Sequence, residues 1–310
     1  MLPRLPFAVD TRYVTSFDGT KIAYHVTREP FPGAPVILLA NGLGGPPASW
    51  RAQVDYLSDR YRLLTWDYRG LYSSEKPKSG ESAAYAIPNH VRDLEIIAKT
   101  EGITSAALIG WSMGVQVSLE AYRRLPQMIK LLVLINGTSG RALDTVTPIP
   151  GMKAVMPSLV ELARKAHSLA KQLAQKTTSQ PETVVWFKRM GLVGETFDDG
   201  VFAELVHQYG GLDMDAFFQN LKAIGTHDAN DVLPLINVPV LVITGDRDAF
   251  TPRALAQQMA RNIRNADMLV VRGGTHYTCV EFPELVNLRI ERFFRENGFL
   301  PARPTSSARP

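Results

Sequence analysis

Cysteine is almost absent from this chain of 310 residues, and the sequence contains no long hydrophobic run. The single cysteine, Cys279, excludes an intramolecular disulfide, so a reducing cytoplasm is the expected setting. Hydrophobic residues make up 45% and charged residues 21% of the chain. No segment reaches the roughly 18 apolar residues of a membrane helix, and residues 1–10 lack the apolar run of a secretory signal. We therefore expect a soluble, cytoplasmic protein without a membrane partner.

Blocks of like charge are also missing. The 34 basic and 30 acidic residues give a formal net charge of +4 and are spread along the chain. Without a cluster of Lys and Arg, the sequence does not indicate a nucleic-acid partner. Histidine, cysteine and carboxylate residues do not recur at the spacings of metal sites, so we expect no metal and no cofactor. A small-molecule substrate is the partner that these absences leave.

Short apolar runs alternate with helical stretches over most of the chain. Residues 12–29 are typical of a β-hairpin, because Asp18 and Gly19 separate two runs rich in Val, Tyr, Phe and Ile. The later runs, typical of strands buried on both faces, are Pro35–Ala40, Tyr61–Asp67, Ser105–Trp111, Leu131–Asn136, Val238–Gly245 and Ala266–Arg272. The predicted helices are Pro47–Ser58, Pro88–Glu101, Ser112–Arg124, Pro252–Ile263 and Pro283–Asn297. This alternation predicts an α/β fold with a mostly parallel central sheet and helices on both faces.

The alternation stops between Arg141 and Leu212. Within this segment, Ser158 and Glu161 form a capping box ahead of an apolar pattern with helical spacing. We interpret the segment as a small helical lid, and a helical decoration without a role in binding is the alternative. The chain beyond Leu300 lacks apolar anchors. The predicted domains are a core at 1–140 and 213–300, a helical cap or lid at 141–212 and a disordered tail at 301–310.

A serine stands between two glycines where a predicted strand meets a predicted helix. The sequence there is Gly110-Trp111-Ser112-Met113-Gly114. Glycine on either side removes the side chains that would collide in so sharp a turn. The turn would lift Ser112 above the sheet, next to the free N–H groups and positive dipole end of the helix. The pattern favours a serine nucleophile acting on a carbonyl, and an ordinary strand-to-helix turn is the alternative.

The motif resembles the nucleophile elbow of the α/β-hydrolase family, and the resemblance extends over residues 13–294. It implies that an oxyanion hole is formed by the backbone N–H groups of Met113 and Leu43. Leu43 belongs to the stretch Asn41-Gly42-Leu43-Gly44-Gly45, which follows an earlier strand. Many members of the family have histidine where this chain has Asn41. Backbone donation by Leu43 does not depend on that side chain.

The same glycines permit a rival interpretation. The chain up to Asp67 imitates a dinucleotide-binding fingerprint, because a strand is followed in order by Gly-x-Gly at 42–44, a helix, a second strand and an aspartate. The third glycine of that fingerprint would fall at Pro47, which cannot give the close helix packing that glycine allows. Residues 67–74 instead resemble the D-x-R-G-x-G-x-S stretch of α/β hydrolases, with Tyr72 in place of the second glycine. We predict a structural role for that stretch.

A histidine and two carboxylates follow late predicted strands. His276 lies in Gly-Gly-Thr-His, where a loop can return it to the top of the sheet. An imidazole, whose pKa is ordinarily near neutrality, is suited to take the serine proton and later release it. Asp246 and Asp248 follow the preceding strand at the same edge. The resemblance selects Asp248 as the acid and leaves Asp246 as the alternative. The order Ser112, Asp248, His276 is that of α/β hydrolases.

The other five histidines are expected to have no part in catalysis. We predict solvated surface positions for His25, His90, His167 and His207. His227 is predicted to be structural, although it could line the substrate pocket.

Together these features predict a serine hydrolase that forms an acyl-enzyme. Aromatic and methionine residues in the predicted lid favour a small to medium, largely apolar ester or lactone, as for a carboxylesterase. The resemblance leaves a C–C bond hydrolase, an amidase or a perhydrolase open on the same three residues. A ligand receptor with little turnover is the alternative from another class. The candidate substrate contacts are Asn41, Trp111, Trp186, Phe187 and Met190.

Overall fold

A computed structural model describes residues 8–144, 193–194, 198–209 and 211–301. Most of the predicted lid, with its capping box and with Trp186, Phe187 and Met190, lies outside the described residues. The same holds for most of the predicted tail. In the described ranges, no helix is long and apolar enough to cross a membrane.

Eight strands form one sheet: β1 (Asp10–Thr15), β2 (Lys21–Val26), β3 (Val36–Ala40), β4 (Arg62–Trp66), β5 (Ala106–Trp111), β6 (Ile129–Ile135), β7 (Val240–Gly245) and β8 (Ala266–Val271). Across the sheet they lie in the order β1-β2-β4-β3-β5-β6-β7-β8. β1 and β2 form an antiparallel hairpin, and β2 pairs antiparallel with β4. All pairs among β3 to β8 are parallel. The predicted hairpin and mostly parallel sheet are confirmed.

The described residues contain eight α-helices: α1 (Arg51–Leu57), α2 (Ile87–Thr100), α3 (Met113–Arg124), α4 (Asp199–Tyr209), α5 (Met214–Thr226), α6 (Arg253–Asn262), α7 (Thr278–Glu281) and α8 (Pro283–Glu296). Short 3-10 helices occupy Pro47–Trp50, Ser82–Tyr85, Ala142–Asp144 and Asn230–Leu235. α3 begins directly after β5, which is the junction that the Gly-x-Ser-x-Gly motif predicted.

The sheet has an apolar layer on each face. Along β5, Leu108 packs in the layer that holds α2, α3 and α6, while Ile109 packs in the layer that holds α1 and α8. Because successive strand residues point to opposite faces, a strand covered on both sides must be apolar at every position. Fully burying one such side chain contributes roughly 1.5–3 kcal/mol. The helices therefore cover both faces of the sheet, and the carboxyl ends of the parallel strands meet at one edge.

Two helical regions differ from the prediction. The helix predicted at Pro47–Ser58 starts as the 3-10 turn Pro47–Trp50 and continues as α1. α5 was not predicted, although Asp213 is a good N-cap: its carboxylate accepts a hydrogen bond of 3.0 Å from the N–H of Ala216. α5 follows the end of the predicted lid and packs beside the 3-10 turn Ser82–Tyr85.

Two histidines predicted at the surface are buried. His25, on β2, is 5% exposed, and its Nε2 lies 3.3 Å from Oδ1 of Asp67. His90 is fully buried on α2, and its Nε2 lies 3.0 Å from the carbonyl oxygen of Tyr85. Burial, together with the positive charge of Arg69, lowers the pKa of His90 to about 3. The surface prediction was wrong because an imidazole with a hydrogen-bond partner, Thr11 for His25 and the carbonyl oxygen of Tyr85 for His90, is compatible with a core.

His207 is exposed on α4, as predicted. His227 follows α5, and its Nε2 lies 3.8 Å from Oε2 of Glu120 on α3. A structural role for His227 stays a prediction. His167 lies outside the described residues.

Candidate active site

The junction of β5 and α3 is a strained elbow. Ser112 has φ 56° and ψ −114°, in the left-handed region that residues other than glycine seldom adopt. A Cβ on Gly110 would lie 2.3 Å from the carbonyl oxygen of Gly114, and a Cβ on Gly114 would lie 2.0 Å from that of Ala40. Both glycines are required because backbone atoms, which cannot easily move away, occupy the space that a side chain would need.

A continuous chain of hydrogen bonds joins the serine, the histidine and the second aspartate. Nε2 of His276 lies 2.8 Å from Oγ of Ser112. Nδ1 of the same ring lies 3.0 Å from Oδ2 and 3.1 Å from Oδ1 of Asp248. Ser112 follows β5, Asp248 follows β7 and His276 follows β8, so three loops at the carboxyl edge of the sheet bring these groups together.

Asp248 is surrounded by hydrogen-bond donors. Its Oδ1 accepts from the backbone N–H groups of Phe250 and Thr251, both at 2.9 Å. Its Oδ2 accepts from the Thr251 hydroxyl at 2.7 Å and from Nδ2 of Asn136 at 2.8 Å. Burial by itself would raise the pKa of Asp248, but the nearby His276 and the bonds from Thr251 outweigh it and lower the pKa below its ordinary value. The carboxyl group is therefore held in its ionised form.

Asp246, the alternative acid, lies elsewhere. It is exposed, and its Oδ1 accepts a hydrogen bond of 2.7 Å from the N–H of Gly273. That bond joins the loop after β7 to the loop after β8. Asp246 thus holds two loops together at the surface, whereas Asp248 contacts the imidazole.

Residues 41–45, the glycine loop, cross directly over the elbow. The N–H of Gly45 donates to the carbonyl oxygen of Gly42 at 3.0 Å, which closes a tight turn around Leu43. A Cβ on Gly42 would lie 3.3 Å from Cβ of Ser112. The backbone N–H groups of Leu43 and Met113 have no acceptor among the residues that the structure describes. These are the two N–H groups that the sequence predicts as donors of the oxyanion hole.

Asn41 is turned toward the sheet. Its Nδ2 donates to the carbonyl oxygen of Trp66 at 3.0 Å, and its Oδ1 accepts from Thr65 at 3.1 Å and from the indole N–H of Trp50. The hydroxyl of Tyr68 donates to the carbonyl oxygen of Asn41 at 2.9 Å. These bonds anchor the start of the glycine loop, and the predicted substrate contact at Asn41 was wrong because its side chain is buried against the sheet.

Trp111 contacts both the glycine loop and residues 272–277, which carry His276 and form the histidine loop. It is 2% exposed, and its Nε1 donates to the carbonyl oxygen of His276 at 2.8 Å. Its six-membered ring would be within 3.0 Å of a Cβ on either Gly42 or Gly45. Trp111 therefore supports both the histidine loop and the glycine loop, and its burial leaves little surface for the predicted substrate contact.

Residues 67–74 form a structural loop next to the site. Arg69 is fully buried and makes two hydrogen bonds, of 2.7 and 2.6 Å, to the carboxylate of Asp93 on α2. Tyr72 has a φ of 50°, and its hydroxyl donates to the carbonyl oxygen of Gly44. The tyrosine that stands in place of a glycine thus ties this loop to the glycine loop.

The described part of the predicted lid packs against Ala48, in the 3-10 turn after the glycine loop, and against Tyr277. Phe202 and Leu205 on α4 form an apolar cluster with Ala48. Tyr209, at the end of α4, is hydrogen-bonded to Tyr277, the residue after His276. The predicted contacts Trp186, Phe187 and Met190 lie outside the described residues.

Asn136 and Glu281 contact the site but were not among the predicted site residues. Oε2 of Glu281 accepts from the N–H of Thr275 at 2.8 Å, and Oε1 accepts from the Thr275 hydroxyl and from the N–H of Gly194, both at 2.6 Å. These bonds brace the residue before His276. Asn136 directly follows a predicted buried strand at the edge where sites assemble, a signal that could have identified it. In the described ranges, no group of three or more His, Cys, Asp or Glu residues could hold a metal ion.

The chain is similar to proteins of one family. The sequence model of the alpha/beta hydrolase fold family matches residues 35–283. "Putative carbamate hydrolase RutD" of Caulobacter segnis is 25% identical over 272 residues, which cover 88% of this chain and 96% of that protein. An esterase from Exiguobacterium antarcticum has a similar structure, with a TM-score of 0.74, 18% identity and coverage of 92% and 100%.

A second solved structure extends the likeness in fold. The enol-lactonase from Burkholderia xenovorans LB400 superposes with a TM-score of 0.69 at 24% identity, and the match covers 92% of this chain and all of that chain. With the family match over most of the chain, the strand order and the elbow between β5 and α3, this chain belongs to the alpha/beta hydrolase fold family.

Proposed function

We propose that this protein is a serine hydrolase that cleaves a carboxylic ester or lactone through an acyl-enzyme. The observation that carries the proposal is the continuous hydrogen-bond chain from Ser112 through His276 to Asp248, with distances of 2.8 and 3.0 Å. A nucleophile, a base and an orienting acid at such distances are the requirements of nucleophilic acyl transfer. The residue roles that follow are part of the same proposal.

In the first half of the reaction, Ser112 forms a bond to the carbonyl carbon while its proton passes to Nε2 of His276. The carbonyl oxygen becomes an oxyanion and accepts hydrogen bonds from the N–H groups of Leu43 and Met113. The first turn of α3 adds the positive end of its dipole. The carbon–oxygen bond to the leaving alcohol then breaks, and His276 donates its proton to that alcohol.

In the second half, water replaces the alcohol. His276 takes a proton from the water, whose oxygen bonds to the acyl carbon, and the second tetrahedral intermediate uses the same two N–H groups. The bond to Ser112 breaks, the serine oxygen recovers its proton from His276, and a carboxylic acid leaves. Asp248 keeps Nδ1 of the ring protonated throughout, so that Nε2 is free to accept.

Apolar side chains around the reacting groups support an uncharged, largely apolar substrate. The ring of Phe250 lies 5.1 Å from that of His276, measured between centroids. Leu212 and Phe217 approach the glycine loop so closely that a Cβ on Gly44 would lie 3.0 Å from each of them. Such walls favour an acyl or alkyl group over a charged one. The names of the esterase and the enol-lactonase of similar fold agree with this substrate class.

A carbamate is the second candidate substrate. The relatives from Caulobacter segnis and Agrobacterium fabrum are 25% and 26% identical to this chain, and both carry the name "Putative carbamate hydrolase RutD". A carbamate carbonyl would undergo the same attack by Ser112 and use the same oxyanion donors. Nitrogen donation into that carbonyl makes it less electrophilic, so hydrolysis would need the oxyanion hole more strongly than an ester does.

The test is a panel of p-nitrophenyl esters of increasing acyl length, with the p-nitrophenyl N-alkyl carbamate of matched chain length beside each ester. We expect repeated turnover of the esters, a preferred acyl length, and loss of turnover in Ser112→Ala. Faster turnover of the carbamates would favour the second candidate. Release of one nitrophenol per protein molecule would favour a ligand receptor, and full activity of Ser112→Ala would refute the assigned nucleophile.

A further inference from the structure

Asn136 occupies an unusual position directly after β6. It is 1% exposed, and its backbone N–H donates to the carbonyl oxygen of Ile243 on β7 at 2.9 Å. Its φ is 45°, in the left-handed region. Asparagine tolerates this conformation better than most residues other than glycine, so the backbone alone restricts the residue types that fit here.

The side chain of Asn136 bonds both to the carboxylate of Asp248 and to the backbone of Thr275, and no other side chain in the described residues makes this pair of bonds. Its Nδ2 donates to Oδ2 of Asp248 at 2.8 Å and to the carbonyl oxygen of Thr275 at 3.1 Å. A primary amide has two N–H hydrogens, and two acceptors lie within reach of them. Because Thr275 directly precedes His276, one amide group joins the acid to the peptide that carries the imidazole.

Other contacts hold each end of this bridge separately. Thr251 donates to Oδ2 of Asp248 at 2.7 Å but is not bonded to the histidine loop. Thr278 donates to the carbonyl oxygen of Thr275 at 2.6 Å but is not bonded to Asp248. The bonds from Gly273 to Asp246 and from Arg247 to Gly274 join the two loops further from the imidazole, whereas Asn136 joins them at the carboxylate itself.

We propose that Asn136 is a positioning residue that sets the geometry between Asp248 and His276. The inference rests on the proposed function, because it concerns the same three groups. With the bridge in place, Nδ1 of His276 faces the carboxylate and Nε2 faces Ser112. A carboxylate at position 136 could not donate to either acceptor, and an aliphatic side chain would leave both bonds unmade.

A competing explanation is that asparagine is present only because the backbone is left-handed. Two substitutions separate the explanations. Asn136→Gly accepts the same φ without strain and removes the amide. Asn136→Asp has nearly the same size and also tolerates this conformation, but it turns an oxygen toward Oδ2 of Asp248. A backbone role alone predicts full activity in Asn136→Gly, whereas Asn136→Asp also places a second carboxyl group beside Asp248 and is the more disruptive variant.

Positioning predicts a loss of kcat in both variants. We expect kcat for a p-nitrophenyl ester to fall roughly 10- to 100-fold, the range for one hydrogen bond to a charged group, with KM within about 3-fold of the original value. Thr251→Val is the matched comparison, because it removes a donor to the same Oδ2 atom without touching Thr275. It should lose less kcat than Asn136→Gly.

A second measurement does not depend on catalysis. The Nδ1 proton of His276 should give a downfield NMR signal, protected from exchange by Asp248. We expect that signal to broaden in Asn136→Gly and Asn136→Asp while the melting temperature shows that both variants are folded. Unchanged kcat and an unchanged signal in both variants would overturn the proposal for Asn136. If the original protein shows the protected signal but hydrolyses no ester, the proposed function fails and the positioning of His276 by Asn136 does not.

Discussion

Replacing Asp248 with asparagine should remove most of the activity without changing the shape of the site. The oxygen of the new amide would remain at the Oδ1 position, because it accepts there from two backbone N–H groups, those of Phe250 and Thr251. Reversing the amide would leave both donors unpaired, at a cost of about 1–3 kcal/mol each. The NH₂ group would then take the place of Oδ2, the oxygen that lies 3.0 Å from Nδ1 of His276, and would favour the ring form that carries its proton on Nε2.

An imidazole protonated on Nε2 cannot accept the proton of Ser112. Loss of the acid in a Ser-His-Asp triad by this route costs about 10⁴-fold in kcat, which corresponds to about 5.4 kcal/mol of transition-state stabilisation. We expect a fall of this order for Asp248→Asn with a p-nitrophenyl ester. Folding should be weakened by about 1–3 kcal/mol, since the new NH₂ group would also face Nδ2 of Asn136.

The assay is steady-state hydrolysis with the melting temperature measured on the same samples. Asp246→Asn is the matched control, because it makes the same chemical change two residues away on an exposed side chain that bonds to the loop after β8. We expect its kcat to stay within about 3-fold of the original value. More than a tenth of the activity in Asp248→Asn, or a larger loss in Asp246→Asn, would refute the reasoning.

The same variant also tests the lowered pKa of Asp248. A carboxyl group whose pKa is lower in the folded state stabilises the fold above its unfolded pKa, and this contribution is lost as the pH falls through the folded pKa. The free energy of unfolding of the original protein should therefore fall more steeply below about pH 4 than that of Asp248→Asn. Parallel pH profiles would contradict the assignment of a lowered pKa.

Three further substitutions test the supports of the site. Gly114→Ala should abolish ester hydrolysis and lower the melting temperature, because its Cβ would lie 2.0 Å from the carbonyl oxygen of Ala40; near-normal kcat would contradict the elbow geometry. Asp93→Asn should destabilise the fold by about 3–5 kcal/mol in denaturant titration, since it leaves the buried Arg69 without its main partner; a loss under 1 kcal/mol would argue against a buried pair. Tyr72→Phe should lower kcat roughly 3- to 10-fold with little change in KM, because the glycine loop loses one hydrogen bond; a change in KM alone would indicate a substrate contact instead.

The strands and the elbow could be predicted because their signals are local. A buried parallel strand must be apolar along its whole length, and the sharp turn at Ser112 requires small residues at 110 and 114. The mostly parallel sheet followed from these short patterns, and the α/β-hydrolase fold followed from the resemblance of the elbow to the motif of that family. Boundaries shifted by one or two residues, as at β6, where local geometry rather than composition ends the strand.

Contacts between distant segments could not be predicted in the same way. Asn136 and Asp248 are 112 residues apart, and only the pairing of β6 with β7 brings them together. The burial of His90 depends on helix packing against Tyr68, whose ring centroid lies 4.8 Å away. The choice between two aspartates needed a family resemblance, because both follow the same strand and only tertiary structure distinguishes them.

The central claim is that Ser112 becomes acylated, and mass spectrometry with peptide mapping tests it directly. The protein would be mixed with a p-nitrophenyl ester, quenched in acid within the first turnover, digested and mapped. We expect one added acyl group per molecule, on the peptide that contains Ser112, and none in Ser112→Ala. Nitrophenol release with an acyl group on another residue, or with no acyl group at any time, would contradict the account.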